Sequence, residues 1–540
     1  MKNNSFFSKS LWFYGLLLVL VGLGAYLLIY DMHYGPWAYS DSVEYIVSAK
    51  SLIAGKGLGI PAPDGGFLPL SLHPPFYSLL LVPFLTLGLD AFDVIVGLNI
   101  LLFCLTLLTL GIGLFKTTRS GLLALTISAL FLVSPAILRD FDGAMTEPLF
   151  IFLSLLNLFL LIKQIFQPSK WTYWGAVLCA ALAMLTRYIG AVSIFSGFIL
   201  LLFLPQKSWK EKITQSFGYA LFSALPTAIW LIYVSVTSGS IASRSLQSGL
   251  SLGDALYTLR AAFMKVMVKW LPFRDIWFPT WKWKAYTVYL VIFISAVIFL
   301  MIVWKWYRRR ETELTYPLAL IFSAILYCAG YMGFLLVSLF SSLPPDLNER
   351  MLSPLQPLIW IIVIGSLVTL IQTYKLPKYG QIIPLALAVV LGISFWQQTR
   401  SLAMDRHFIG DGYAGPIWKN SETIRAAEQL PDDIPLISNE EAAVLLYTEN
   451  FPYVISELSL SEPLPEAGSF GNGESREEEV FRNENAALIL FWNSFNDQLK
   501  KVYGDQSEER LKQFIAGLTL YVETQDGGIY FYKTSSLPVN

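Results

Sequence analysis

Between residues 11 and 30 the chain is almost wholly apolar, and the pattern returns near 92–115, 120–138, 148–166, 171–186, 189–205, 214–236, 286–304, 316–340, 354–373 and 380–397. Apolar runs of about 17 to 25 residues are the length that carries a helix across roughly 30 Å of hydrocarbon. The pattern therefore predicts eleven membrane spans. The first resembles the apolar part of a signal peptide, but it is long and lacks a clear small-residue cleavage site, so it reads as a retained anchor.

The polar breaks hold elements of their own. After the first span, YSDSVEYIVSAKSL at 39–52 has helical spacing, with Asp41, Glu44, Tyr45 and Ser48 on one face and Val43, Ile46, Val47 and Ile53 on another. A turn-rich GKGLGIPAPDGG follows, then SLHPPFYSLLLVPFLTLG, in which Pro74 and Pro75 suit a helix start. The apolar stretch behind them is too short to span and is expected to lie in the interface or to re-enter. Between 237 and 285 a Ser/Gly-rich beginning gives way to RAAFMKVMVKWLPFRDIWFPTWKWK, where basic residues alternate with Trp and Phe. That mixture predicts a helix at the headgroup level, either a plain anchor or a lid over a lipid.

Beyond residue 397 the pattern becomes that of a small α/β domain. IWKNSETIRAAEQL and EEAAVLLYTE read as helices, and IPLIS, PYVIS and AALILFW as strands. A polar stretch at 462–485 separates them from a helix near 507–516 and a closing hairpin, GLTLYVET with GGIYFYKT. The predicted fold class is a polytopic α-helical membrane protein with a C-terminal extracytoplasmic α/β domain. The expected division is a transmembrane catalytic domain at 1–397, with outer-face helices in 31–91, and an accessory domain at 398–540.

Composition sharpens this division. Hydrophobic residues make up 55% of the chain and charged residues 14%, where a soluble protein carries nearer a quarter. Up to residue 397 there are 27 Lys and Arg against 16 Asp and Glu; beyond it, 11 against 23. The tail holds no phosphate loop, metal spacing or nucleophile motif, and its few basic residues argue against nucleic acid. Its role is left between acceptor choice and mere solubility. Cys104, Cys179 and Cys328 fall inside apolar runs, without metal or disulfide spacing, and read as buried small apolar residues.

Charge also orients the spans. Lys2 and Lys9, then Lys116 and Arg119, Lys163 and Lys170, Lys207, Lys210 and Lys212, Lys305 with Arg308, Arg309 and Arg310, and Lys375 and Lys378 fall in alternate loops. The positive-inside rule makes that side cytoplasmic and, with an odd span count, puts the C-terminal domain outside the cell membrane. The 237–285 loop, with seven Lys and Arg on the nominal outer side, departs from the rule, which binds long loops less tightly. Thirteen of the sixteen carboxylates before the tail then face outward, all but Glu211, Glu311 and Glu313. A transporter normally places ionisable groups at the bilayer midplane, and the spans lack that pattern.

Four outer segments carry candidate chemistry. They are the first loop with Asp41, Glu44 and His73; LRDFDGAMTEPLF with Asp140, Asp142 and Glu147; LTRYIG with Arg187 at a hairpin tip; and LNERMLSPLQPL with Glu349 and Arg350. Each has a plainer reading: acids at a membrane surface are usually solvated, His73 can cap a helix, and Arg187 can snorkel to a headgroup. The combination is less easily set aside. Sugar transfer uses a carboxylate to take a proton from the acceptor and cations to neutralise a phosphate leaving group, which Arg does with a bidentate fork. A lipid phosphate lies at the membrane surface, so its arginines belong at span ends.

YSDSVEYI after the first span, HPP before a short apolar helix, MTEPLF opening a span and LTRYIG closing one resemble bacterial members of the GT-C superfamily. The resemblance is to the protein O-mannosyltransferase and aminoarabinose-transferase (family 39-like) branch, and it covers residues 1 to about 400. It implies about a dozen spans and transfer of a sugar from a polyprenyl-phosphate carrier, on the outer face, to a protein, glycolipid or cell-wall acceptor. It makes Asp41 the catalytic base, has Asp140 or Asp142 shape the site with Glu147 at the next helix start, and gives the donor phosphate to Arg187 and Arg350. Tyr45, His73 and Glu349 are supporting residues. The family's paired first-loop acids are here separated, Asp41 from Glu44, by a serine and a valine. Some relatives hold a divalent metal on these carboxylates and others do not, so Asp41, Glu44, Asp140 and Asp142 are the ligands if a metal is used. The alternatives are a polysaccharide polymerase or ligase using lipid pyrophosphate, which needs more outer cations, and a lipid or solute transporter. A purely structural membrane protein leaves the outer carboxylates unexplained.

Overall fold

The computed structural model describes residues 3–204, 207–238, 249–308, 315–341, 344–375, 377, 380, 382–455, 480–481, 484–516 and 518–532. Most of the polar stretch 462–485, the Ser/Gly-rich 239–248, and Lys2, Arg309, Arg310, Glu311, Glu313 and Lys378 lie outside them. The chain falls into two compact units. One comprises Met1–His33, Ser71–Tyr77 and Asp93–Phe408; the other, Tyr34–Leu70, Ser78–Phe92 and Ile409–Asn540.

Most of the first unit is membrane-spanning helix. Among the described residues, eight helices are long and apolar enough to cross: Leu11–Asp31, Ala91–Thr118, Glu147–Phe166, Trp209–Thr237, Trp281–Arg308, Tyr316–Ser338, Glu349–Thr373 and Ile382–Ile409. A ninth counts if Gly121–Leu132 and Pro135–Phe141, bent by 65°, form one span. The chain is thus a multi-pass membrane protein with fewer full-length spans, among the described residues, than the eleven expected. The other two, near 171–186 and 189–205, are Lys170–Thr186 of 17 residues and Ala191–Leu201 of 11 residues. The first lies at the lower end of the roughly 17 to 25 residues that carry a helix across, and the second falls short of it.

Local chemistry sets the breaks. Ser134 caps the helix Pro135–Phe141 by accepting from Ile137 N, and Pro135 cannot continue the preceding ladder because it lacks an N–H. The Ser134 hydroxyl also donates to Gln356 Oε1 at 2.6 Å, which ties this bend to the start of a later span. That later span begins as a short helix Glu349–Leu352 capped by Asn348, passes through a 3-10 turn at Ser353–Leu355 containing Pro354, and includes a π segment at Ile361–Gly365. At the hairpin after Lys170–Thr186, Gly190 lies so close that a Cβ there would come within 2.5 Å of the Ala183 carbonyl. Only glycine lets the two helices meet at that distance.

The second unit holds the first-loop helix Ser40–Ile53, a small antiparallel ladder of β1 (Gly59–Pro61) with β2 (Phe67–Pro69), and a five-stranded sheet. Its strands are β3 (Leu436–Ser438), β4 (Tyr453–Val454), β5 (Ala487–Phe491), β6 (Leu518–Glu523) and β7 (Gly527–Tyr532), in the order β4-β3-β5-β7-β6. The first three are parallel, and β7 pairs antiparallel with β5 and β6. All five residues of β5 are buried, as befits a central strand covered on both faces. Leu488 and Leu490 pack with Phe495 and Phe514, while Ala487, Ile489 and Phe491 pack with Ile424, Val444 and Phe531. The expected order of tail elements matches. However, the first tail helix is split into Pro416–Lys419 and Glu422–Ala427, and a helix at Trp492–Tyr503 was not anticipated.

The first-loop helix departs from its expected two faces. Val43, Ile46 and Val47 are buried as foreseen, but so are Ser42, Tyr45 and Ser48, while Ile53 is exposed. Within its unit the helix is covered from two directions, by β1 and by the helix Glu441–Thr448, so both faces find partners.

Candidate active site

In the first unit the site grows around one carboxylate. Glu147 begins the helix Glu147–Phe166 ahead of Pro148 and has a fully buried side chain. Its Oε1 lies 2.5 Å from Arg187 Nη1 and 2.6 Å from Arg350 Nε. A buried carboxylate persists only when paired, and here one acid binds two guanidiniums that arrive from separate hairpins. Arg187 sits in extended backbone between Thr186 and the turn Tyr188–Gly190, and its Nη1 also donates to Thr146 Oγ1 at 3.0 Å. Tyr331 supports the second hairpin by donating its hydroxyl to Met351 O at 2.7 Å, and Ser353 Oγ donates to Arg350 O at 2.7 Å. The side chains of Arg187 and Arg350 are 12% and 31% exposed, so the cluster has partial access to solvent.

Asp140 is buried on the short helix Pro135–Phe141 and interacts electrostatically with Glu147, Arg350 and Arg187. Asp140, Glu147, Arg187 and Arg350 thus form one group, as the sequence spacing could not show. Asp142, two residues on, is instead ion-paired with Arg406, near the end of Ile382–Ile409, with both side chains mostly shielded. Glu349 makes a second group. It accepts from Trp270 Nε1 at 3.0 Å and lies 3.4 Å from Lys269 Nζ and 3.7 Å from Arg139 Nη1. Lys269 and Trp270 come from the end of the amphipathic helix Leu252–Lys269 in the long basic loop. The sequence reading missed Arg139, Lys269, Trp270 and Arg406. Arg139 stands beside Asp140 in sequence and was available as a signal; Arg406 lies outside every motif.

His73 is half-buried in the Ser71–Tyr77 segment of the same unit, and the helix behind it starts at Phe76, directly after the two prolines. Tyr77 is fully buried and interacts electrostatically with Glu147.

Asp41 and Glu44 belong to the second unit, one helical turn apart in Ser40–Ile53, and both are half-buried. Tyr39 starts that helix, its backbone N–H donating to Ser42 Oγ at 3.2 Å and its hydroxyl to Asp411 Oδ1 at 2.6 Å. Burial first, and the neighbouring Asp41 charge second, push the Glu44 carboxyl up to about 7. Glu44 is therefore partly protonated near neutral pH, beside a second carboxylate on the same helix. Tyr45 is buried in the same helix, 2% exposed, and serves its packing.

Among the described residues no three His, Cys, Asp or Glu side chains gather as a set that could hold a metal ion.

No protein-family model matches the chain, and no curated protein matches it. Solved structures do. ArnT from Cupriavidus metallidurans bound to undecaprenyl phosphate superposes with a TM-score of 0.53 at 13% identity, over 96% of this chain and 98% of that one. The arabinofuranosyltransferase AftD from Mycobacteria superposes with a TM-score of 0.52 at 14% identity, over 96% of this chain and 41% of that one. At such identities the likeness is one of fold, shared by this chain with ArnT and AftD.

Proposed function

We propose that this chain, built on the fold shared with ArnT and AftD, is a membrane glycosyltransferase that moves a sugar from a polyprenyl-phosphate carrier to an acceptor hydroxyl on the outer face of the membrane. The N-terminus is then cytoplasmic and the region 398–540 extracytoplasmic, with an accessory part in acceptor choice. The observation that carries the reading is the buried Glu147 held between Arg187 and Arg350. The carboxylate holds two guanidiniums at one point, and paired guanidiniums suit a phosphate. A polyprenyl phosphate is what the superposed ArnT structure holds.

In the reaction Asp41 takes the proton of the acceptor hydroxyl as the oxygen attacks the anomeric carbon. The bond from that carbon to the phosphate oxygen breaks, and polyprenyl phosphate leaves with the negative charge, which Arg187 and Arg350 stabilise. Glu147 is a positioning residue, and Asp140, buried beside it, belongs to the same charged group. Glu44, partly protonated at neutral pH, restrains the charge beside Asp41. The test offers detergent-purified protein a panel of polyprenyl-phosphate sugars with an acceptor extract and measures released polyprenyl phosphate. Release from one donor supports the reading, and release from none, by folded protein, overturns it.

One observation favours a second reading, transfer from a lipid pyrophosphate. Arg139 and Lys269, 54% and 40% exposed, supply two further cations around Glu349, next to Arg350 in sequence. Under that reading Arg139→Ala and Lys269→Ala raise the donor KM at least as much as Arg350→Ala does. Under the monophosphate reading Arg350→Ala dominates.

A further inference from the structure

The second unit contains a cleft of about 690 Å³ that the transfer reaction does not use. Its volume falls in the range of about 300 to 1,000 Å³ typical of small-molecule sites. One wall is apolar: Ile46 and Ile53 from Ser40–Ile53, Leu85 and Leu89 from the end of the apolar first-loop stretch, and Leu446 from Glu441–Thr448. Leu89, on this wall, is 51% exposed. The rim is charged. Lys50 Nζ and Glu449 Oε1 pair at 2.7 Å across it, with side chains 38% and 63% exposed, and Asp90 adds a second carboxylate to the lining.

Glu449 is held in an unusual way. It closes the helix Glu441–Thr448 with a φ of +61°, in the left-handed region where glycine or asparagine is the usual occupant. A glutamate in that backbone forgoes the easier residue and places its carboxylate at the cleft mouth.

We infer that this cleft binds a single membrane lipid with a phosphoethanolamine head. The rim carries one cation and two carboxylates, so a purely anionic head meets net repulsion. A head bearing both charges fits, with its phosphate on Lys50 and its ammonium on Glu449 and Asp90. A primary ammonium has N–H groups to give those carboxylates, whereas a choline head has none. The start of the acyl chain lies along Leu85, Leu89 and Ile53. The cleft faces away from Asp41 on its helix: Lys50 is nine residues further on, about half a turn round the axis at 100° per residue. The site is therefore independent of the proposed transfer.

The test adds dioleoyl-phosphatidylethanolamine, -choline or -glycerol, at equal concentration, to delipidated full-length protein in neutral detergent. Native mass spectrometry then counts the lipids retained. One tightly held ethanolamine lipid is expected, preferred about tenfold over the other two, the scale of one charge-assisted hydrogen bond. Ala54→Trp, which fills the cleft, abolishes that retention, and Glu449→Gln, a change at an exposed position that leaves the fold intact, lowers it about tenfold. Equal retention of all three lipids, retention unchanged in both variants, or equal competition by free phosphoethanolamine would overturn the inference.

Discussion

Replacing Glu147 by Gln keeps the shape of the side chain and removes its charge. Two guanidinium nitrogens lie 2.5 and 2.6 Å from the same oxygen, so they are at most about 5 Å from each other. At an effective dielectric constant near 20, two like charges at that separation repel by about 3 kcal/mol. Each arginine also loses a charge-assisted hydrogen bond. Breaking a buried ion pair by removing one partner generally costs about 3 to 5 kcal/mol, and the repulsion puts this site toward the upper end. The assay is unfolding of the purified chain in detergent, followed by fluorescence, for wild type, Glu147→Gln, Arg350→Gln and the double variant. The double variant removes both the charge and one of the cations it held. It is expected to recover at least about 1 kcal/mol relative to the sum of the singles, the coupling seen between residues in one network. Additivity of the two changes within about 0.5 kcal/mol would refute the claim that Glu147 holds Arg350 in place.

Two further predictions test other charged groups. Burial pushes Glu44 up from 4.5 to about 7, so the folded state holds its proton more tightly than the unfolded chain does. Stability of the second unit therefore falls as pH rises between 4.5 and about 7, and Glu44→Gln flattens that fall in a thermal-unfolding series; an unchanged slope contradicts the burial. Asp142→Asn strands Arg406 in a shielded position and is expected to destabilise the chain by about 3 to 5 kcal/mol in the same unfolding assay, whereas a loss below about 1 kcal/mol would mean that solvent already reaches the pair.

How much the sequence disclosed depends on the range of the interaction. Apolar periodicity marks every long span, because the requirement is local and each stretch meets it alone. It overstates the stretch at 189–205, whose helix Ala191–Leu201 has 11 residues, since hydropathy does not register the hairpin at Arg187 and Gly190. The strands of the tail were legible for the same local reason. The helix Trp492–Tyr503 was not, because it follows the apolar strand Ala487–Phe491 with no break residue to announce it. The site was legible as residue types and only partly as a constellation. That Arg187 and Arg350 are charged at span ends is visible in the sequence; that both bind Glu147 is tertiary. The amphipathic reading of Ser40–Ile53 foresaw one apolar face but not the burial of Ser42, Tyr45 and Ser48, which depends on a helix some 400 residues away.

The most direct test of the central claim is sugar transfer by Asp41→Asn beside wild type, with the donor that wild-type protein consumes. The account predicts that the variant inserts and folds as wild type does but releases no polyprenyl phosphate above background at any pH from 5 to 9. Transfer at the wild-type rate by a folded Asp41→Asn protein would contradict it.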